Sequence, residues 1–333
     1  MVTRVGVLGA GSWGTTLADL LARGGHTVRV WAHEPDVVEA INTRHENPVF
    51  LANHRLDRSL AATEDPVDAV RGTDVILLAA PSHVARAVLR RAASGVAGGT
   101  IVVSATKGIE TDSLSLMHEV VAAELPEATA AILSGPSFAQ EVAAGQPTAV
   151  VAASSAPAAA DAVQRVFSGP RFRVYTAADL VGVELAGALK NVVAIAAGML
   201  EGLGLGNNPR AALLTRGLAE IARLGVRMGA DPLTFAGLAG MGDLILTATG
   251  QLSRNRSLGV ALAQGETLEA YTARHRTVAE GVNTSKAGAA LAAREGVEMP
   301  ITAKVFEILF HGKSPADSVD ELMGRELKAE QWR

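Results

Sequence analysis

The sequence predicts a doubly wound, mostly parallel α/β domain followed by an all-helical domain. Three observations carry that expectation. Short apolar runs of strand length alternate with longer helical patterns through the first half of the 333 residues. Those runs are apolar on both faces, as in a sheet covered by helices on each side. After about Asp179 strand signals nearly vanish, and helical stretches punctuated by Gly or Pro take over. The expected division is therefore residues 1–179 and 180–333, and a chain of this length accommodates two cores.

The expected strands are Arg4–Leu8, Thr27–Trp31, Asp74–Ala79, Thr100–Ser104, Ala130–Leu133, Thr148–Ala152 and Arg171–Tyr175. Between several of them fall the helices Trp13–Arg23, Ser113–Glu124 and Pro157–Phe167, the last with proline at its first position. Five or six helices are expected in the second half, including Leu180–Leu200, Arg210–Met228, Leu258–Gln264, Gly281–Glu295 and Ile301–Phe310. The Ala-rich stretch Val183–Leu200 has the look of a membrane helix. Lys190 and Asn191 at its middle, and the Gly-rich turn Gly202–Gly206 after it, argue for a buried core helix instead.

Composition narrows the function. The net charge is −4 with no run of like charge, so nucleic acid and anionic membrane surfaces are poor partners. There is no cysteine, which excludes disulfides, thiolate metal sites and cysteine nucleophiles. The eight histidines are scattered without ligand spacing, so no metal site is expected. A strand begins within four residues of Met1, leaving no room for a signal peptide, and a soluble cytoplasmic protein is expected.

The segment after the first strand reads Gly9-Ala10-Gly11-Ser12-Trp13-Gly14 and leads into a helix that stops at Gly24-Gly25. This is GxGxxG spacing in its strand–turn–helix setting, the mark of a Rossmann-type dinucleotide site. Gly9 permits the tight turn, Gly11 lets the backbone approach a pyrophosphate, and Gly14 allows helix to pack on strand. The second strand ends Trp31-Ala32-His33, with Glu34 next. His33 could pair with a 2′-phosphate and Glu34 with a ribose hydroxyl, so either NAD or NADP is expected, with a lean to NADPH.

Only six of the 30 basic residues are lysine, and two stand apart. Lys107 follows the strand Ile101-Val102-Val103-Ser104, at the carboxyl end where an α/β sheet borders its ligand crevice. Lys190 lies in the apolar run Leu185–Ile195 beside Asn191. A desolvated ammonium there has a lowered pKa and can exchange protons near neutrality, which an arginine cannot.

Four further segments stand out. Asp243, in Gly237–Thr247, is the only charge between Asp231 and Arg254, so it needs a partner, and Lys190 is one candidate. Ser253-Arg254-Asn255-Arg256 suits a phosphate, since guanidinium groups bond oxyanions in pairs. Gly135-Pro136-Ser137-Phe138-Ala139 follows a strand and opens a helix, offering amides at a crevice edge. Val278-Ala279-Glu280-Gly281 places an isolated acid before a helix. On the residues alone, a dehydrogenase of a hydroxy-carboxylate or sugar acid and a non-catalytic NAD(P) sensor also remain open.

Taken together the chain resembles the NAD(P)-dependent sn-glycerol-3-phosphate dehydrogenases of bacteria. The matching segments are GAGSWGTTLA, SATKGIE, LSGPSFAQEV, ELAGALKNVVAIAAG, AALLTRGLAEIARLG, GLAGMGDLILTATGQLSRNRSLG and AEGVNT, with MPIT near the end. The resemblance implies reversible reduction of dihydroxyacetone phosphate to sn-glycerol 3-phosphate for glycerophospholipid synthesis. It implies Lys190 as proton donor and acceptor, with Lys107 touching substrate and cofactor. Gly135, Ser137, Asp243, Ser253, Arg254 and Asn255 would line the substrate. Ser12, Trp13, His33, Ala139, Arg254, Val278 and Glu280 would line the NAD(P)H. Two departures are visible: Ala248 stands where the family has Cys, and His33 where arginine is common. The Ala-rich helical half offers a dimer surface, so a homodimer is expected.

Overall fold

A parallel pair begins the sheet: β1 (Arg4–Leu8) and β2 (Thr27–Trp31), joined by α1 (Ser12–Arg23). The computed structural model describes residues 2–274, 279–327, 329 and 330. After β2 come α2 (Pro35–Arg44), an antiparallel hairpin of β3 (Glu46–Asn47) and β4 (Leu51–Arg55), the edge strand β5 (Ala61–Thr63) and α3 (Pro66–Val70). The chain then crosses to the other side of β1. There it lays down β6 (Val75–Leu78), α4 (Ser82–Ala92), β7 (Ile101–Ser104), α5 (Met117–Glu124) and β8 (Thr129–Ser134). Next are α6 (Ala139–Ala143), β9 (Thr148–Ala153), α7 (Pro157–Phe167) and β10 (Phe172–Ala177).

The eight-stranded order is β10-β9-β8-β7-β6-β1-β2-β5, and β8 with β9 is the one antiparallel pairing within it. Alternate residues feed two cores. Val5, Val7, Val75 and Leu77 join the layer that contains Leu17 and Leu21 of α1. Leu8, Ile76 and Leu78 join the layer of Leu89 from α4 and Val121 from α5. Chain direction across the sheet reverses beside β1, with β2 on one flank and β6 on the other, which opens a crevice at its carboxyl end.

Seven strands lie where the hydrophobic runs predict them, within two residues at each end. The hairpin β3–β4 and strand β5 escaped sequence reading because Glu-Asn, Leu-Ala-Asn-His-Arg and Ala-Ala-Thr contain no apolar run. Helix α5 starts at Met117 rather than Ser113, because Glu119 accepts the Leu116 N–H and starts the helix there.

The second half is helical, but its helix count was underestimated. Among the described residues there are nine: α8 (Leu180–Gly202), α9 (Asn207–Arg227), α10 (Pro232–Ala236), α11 (Asp243–Thr249), α12 (Arg254–Ala263), α13 (Leu268–Ala273), α14 (Gly281–Glu295), α15 (Pro300–His311) and α16 (Pro315–Met323). The additional ones, α10, α11, α13 and α16, are nine residues or shorter, too brief to show helical periodicity in sequence.

Helix α8 is long and apolar enough to cross a membrane by composition, yet the other helices bury it from Gly182 to Leu200. It meets α12 at backbone distance. A Cβ on Gly259 would sit 2.0 Å from the Ile195 carbonyl oxygen, and one on Gly198 would sit 2.0 Å from that of Arg256. This glycine-to-glycine crossing brings the start of α12 beside the middle of α8, where Lys190 and Asn191 lie.

Candidate active site

The glycine turn is built as its spacing demands. Gly9 adopts φ +118°, and its N–H bonds the Trp31 carbonyl at 3.2 Å. A Cβ on Gly14 would stand 1.9 Å from the Gly9 oxygen, so α1 can approach β1 only with glycine there. Gly11 is different: nothing lies within 4 Å of its missing Cβ. Gly11 precedes α1 without any side-chain cap, which leaves the first amides of the helix free for an anion. An open, uncapped helix start beside a tight glycine turn fits the pyrophosphate of a dinucleotide.

Several of the other expected cofactor residues lie on α1, just past β2 and on α6, beside this turn. The Ser12 hydroxyl donates to the Phe50 carbonyl at 2.6 Å, and Ser12 is the first residue of α1, where backbone amides have no intrahelical partner. Trp13 packs partly into the core below the sheet. His33 is exposed just past β2, with its ring 6.4 Å from that of Trp31 and no hydrogen-bond partner among the described residues. Ala139 opens α6, and its carbonyl accepts from Thr16 of α1 at 3.3 Å. Val278 lies outside the described residues.

The two exceptional lysines meet on one carboxylate. A single π turn over Leu238–Gly242, closed by Gly242 N–H to the Gly237 carbonyl at 3.1 Å, delivers Asp243 to the start of α11. Asp243 is fully buried. Its Oδ1 lies 2.6 Å from Lys190 Nζ and its Oδ2 2.7 Å from Lys107 Nζ. Lys190 also donates to Thr247 Oγ1 at 2.6 Å, and Lys107 to the Gly135 carbonyl at 3.0 Å. Burial pushes the Lys190 ammonium down to about 7, against the pull of Asp243 and with the push of Lys107. The Lys107 loop is itself pinned, because Glu110 forms a forked pair with Arg86 of α4 at 2.6 and 2.8 Å.

A chain of amides extends from these lysines. Asn191 Nδ2 donates to the Lys107 carbonyl at 3.4 Å, and Asn255 Nδ2 donates to Asn191 Oδ1 at 2.9 Å. Asn255 Oδ1 in turn accepts the Gly281 N–H at 2.9 Å. Ser253 is buried and caps α12 by accepting the Arg256 N–H at 3.2 Å. Arg254 is exposed, with no partner for its guanidinium among the described residues. Arg256, its neighbour in the same segment, turns away and forms a forked pair with Glu201.

Gly135 holds φ +140°, and its oxygen accepts from Ser137 Oγ at 2.9 Å as well as from Lys107. Glu280 sits opposite the start of α4, with Oε2 3.5 Å from Ser82 Oγ. Burial pushes its carboxyl up to about 7, while Arg254 pulls the other way.

Sequence reading missed Thr247. It stands four residues after Asp243 on α11, and that spacing puts both side chains on one helix face. It also missed Asn47, whose contacts with the glycine turn come from a hairpin that carries no apolar signal.

The chain is similar to known proteins along most of its length. The family described as "NAD-dependent glycerol-3-phosphate dehydrogenase N-terminus" matches residues 4–160, and its C-terminal counterpart matches 179–320. A glycerol-3-phosphate dehydrogenase [NAD(P)+] from Geobacter sulfurreducens is 55% identical over the whole of both chains. One from Geobacter metallireducens is 54% identical over 99% of each. The crystal structure of glycerol-3-phosphate dehydrogenase from Coxiella burnetii superposes with a TM-score of 0.93 at 42% identity, covering 97% of this chain and 99% of that one.

Proposed function

The chain belongs to the NAD-dependent glycerol-3-phosphate dehydrogenase family and is an NAD(P)-dependent oxidoreductase; on that premise we propose that Lys190 is its proton donor and acceptor. The reaction is reduction of dihydroxyacetone phosphate to sn-glycerol 3-phosphate, and its reverse. The observation that carries the reading is the buried Asp243 carboxylate shared by Lys190 and Lys107.

A bound nicotinamide supplies the hydride. The chain's residues manage charge and protons around it. Lys190, held by Asp243 and Thr247, gives a proton to the oxygen that becomes the alkoxide. Lys107 adds a second positive charge beside the developing anion, in a site from which burial has removed water. Arg254, exposed and with no partner for its guanidinium among the described residues, anchors the phosphate with Ser253 and Asn255, so binding energy remote from the ketone orients it. Gly135 and Ser137 line the substrate beside Lys107.

Gly9, Gly11 and Gly14 with the Ser12 and Trp13 amides receive the pyrophosphate, and Ala139, Arg254 and Glu280 border the rest of the coenzyme. His33, exposed at the end of β2, supports a preference for NADPH. Family membership supports a cytoplasmic role in glycerophospholipid synthesis. Exposed apolar side chains in the helical half, Leu233 and Ile245 among them, support a homodimer through that half.

The test is the fall in NADPH absorbance with candidate ketones. Turnover of dihydroxyacetone phosphate is expected. Turnover of a non-phosphorylated keto acid, with none of dihydroxyacetone phosphate, would overturn the reading.

A further inference from the structure

The hairpin β3–β4 is tied to α1 at both of its ends. At the far end, buried Asp19 of α1 accepts the Asp57 N–H at 2.6 Å and pairs with His54 Nε2 at 2.7 Å. At the near end the hairpin enters the glycine turn itself. Asn47 is fully buried, and its Nδ2 donates to the Ala10 carbonyl at 2.9 Å and to Thr15 Oγ1 at 2.8 Å. Its Oδ1 accepts the Phe50 N–H at 3.1 Å, and the Phe50 carbonyl takes the Ser12 hydroxyl. Thr15 Oγ1 donates to the same Ala10 carbonyl at 2.9 Å. Turning the Asn47 amide over would break three bonds at once, so its orientation is fixed by its partners.

The consequence follows from peptide geometry. In a planar trans peptide the carbonyl of Ala10 and the N–H of Gly11 point in opposite directions. Two donors, from Asn47 and Thr15, hold the Ala10 oxygen toward the protein interior. The Gly11 N–H is thereby turned outward, into the open space beside its missing Cβ. Unrestrained, a peptide plane with glycine on its far side rotates more freely than one between two substituted residues, and ordering it on binding would weaken affinity.

We propose that Asn47 is a positioning residue of the coenzyme site, which fixes the Ala10–Gly11 peptide plane so that the Gly11 N–H faces the pyrophosphate. The hairpin is then a clasp on the phosphate-binding turn, acting through backbone orientation and without touching substrate. This inference rests on the reading of the turn as a dinucleotide site.

The experiment measures NADPH affinity by quenching of tryptophan fluorescence in two variants, Asn47→Asp and Thr15→Val. The first keeps the side-chain shape but replaces the donor with an acceptor facing the Ala10 oxygen. The second removes the other donor in an isosteric way, and it decides the matter alone should the first fail to fold. The dissociation constant is expected to rise about tenfold, the effect of one lost buried hydrogen bond. The melting temperature without coenzyme should stay within a few degrees, and KM for dihydroxyacetone phosphate at saturating NADPH should not move.

An NADPH affinity within about twofold of the unaltered protein in both variants, where a lost bond would cost tenfold, would overturn the proposal alone. A parallel loss of NADPH affinity, substrate KM and melting temperature would do so too, by making Asn47 merely structural. Failure of the unaltered protein to bind NADPH would instead sink the coenzyme reading, and this proposal with it.

Discussion

Lys190 Nζ sits 2.6 Å from Asp243 Oδ1, with both groups almost completely buried. The other oxygen of that carboxylate holds Lys107, so one negative charge is shared between two ammonium groups. The cluster therefore has a net positive charge when both lysines are protonated. An anionic substrate relieves that excess, and so does loss of one proton. The Lys190 pKa near 7 reflects the second route: burial and Lys107 favour release, while Asp243 opposes it.

Replacing Lys190 by alanine is expected to lower kcat by about 10²- to 10⁴-fold, the range typical of general acid–base catalysis. NADPH binding, measured by fluorescence titration, should be nearly unchanged, because Lys190 contacts Asp243 and Thr247 and not the glycine turn. Equal losses in turnover and NADPH affinity would show that the residue acts structurally.

The same lysine dictates opposite pH profiles for the two directions. Ketone reduction needs the ammonium form, so its kcat should fall as pH rises through about 7. Alcohol oxidation needs the neutral amine and should rise through the same region. A shared midpoint in paired profiles supports Lys190 as the group responsible. Flat profiles in both directions between pH 6 and pH 8, that is about one unit either side of the pKa, would exclude it.

Gly11 and Gly14 should respond differently to one added methyl. At Gly14 a Cβ meets the Gly9 oxygen at 1.9 Å, so Gly14→Ala must separate α1 from β1 and lower the melting temperature. At Gly11 the Cβ meets nothing within 4 Å, and φ −64° suits alanine. Gly11→Ala should therefore fold normally and bind NADPH more weakly, since the methyl occupies the anion's approach. Calorimetry beside NADPH titration separates the two outcomes.

How far the sequence could be read depended on the signal each element carries. The strands β1, β2 and β6 are apolar over most of their length and stood out at once. Lys190 and Asp243 were conspicuous as isolated charges in apolar surroundings, which is the condition that makes a buried pair necessary. Other features depend on tertiary contacts. Nothing near Lys107 in sequence indicates that it shares Asp243, a residue 136 positions away. Ser253-Arg254-Asn255-Arg256 looked like one phosphate cradle, yet Arg256 turns to Glu201, and Asn255 is also tied to Asn191 and Gly281. The polar hairpin was invisible because burial of Asn47 is set by its partners and not by its own polarity.

His33 occupies the position where the second strand meets the adenosine ribose in dinucleotide folds. Its side chain is exposed and has no hydrogen-bond partner among the described residues, so substitution should leave the fold intact. His33→Asp is expected to shift preference toward NADH, because a carboxylate repels a 2′-phosphate and bonds a 2′-hydroxyl. Paired kcat/KM values with NADH and NADPH measure the shift. An unchanged ratio would remove His33 from coenzyme selection.

Glu220 tests stability rather than chemistry. From α9 it accepts the Ile301 N–H at 2.7 Å and the Thr302 N–H at 3.3 Å, capping α15 from a neighbouring helix. Burial pushes its carboxyl from 4.5 up to about 7, in spite of those bonds. The folded state thus binds this proton more tightly than the unfolded chain does. Its contribution is most favourable below pH 4.5, declines as pH rises to about 7, and is constant above that. The full decline is on the order of 3 kcal/mol, at 1.36 kcal/mol per pKa unit. Glu220→Gln keeps an acceptor for Ile301 and cannot ionise, so the difference in urea midpoint between pH 5 and pH 8, which roughly bracket that decline, should shrink. Glu220→Ala leaves the Ile301 N–H unpaired and should cost about 1–3 kcal/mol at either pH. A Gln variant with the same pH dependence as the unaltered protein would show that the buried carboxylate is not the titrating group.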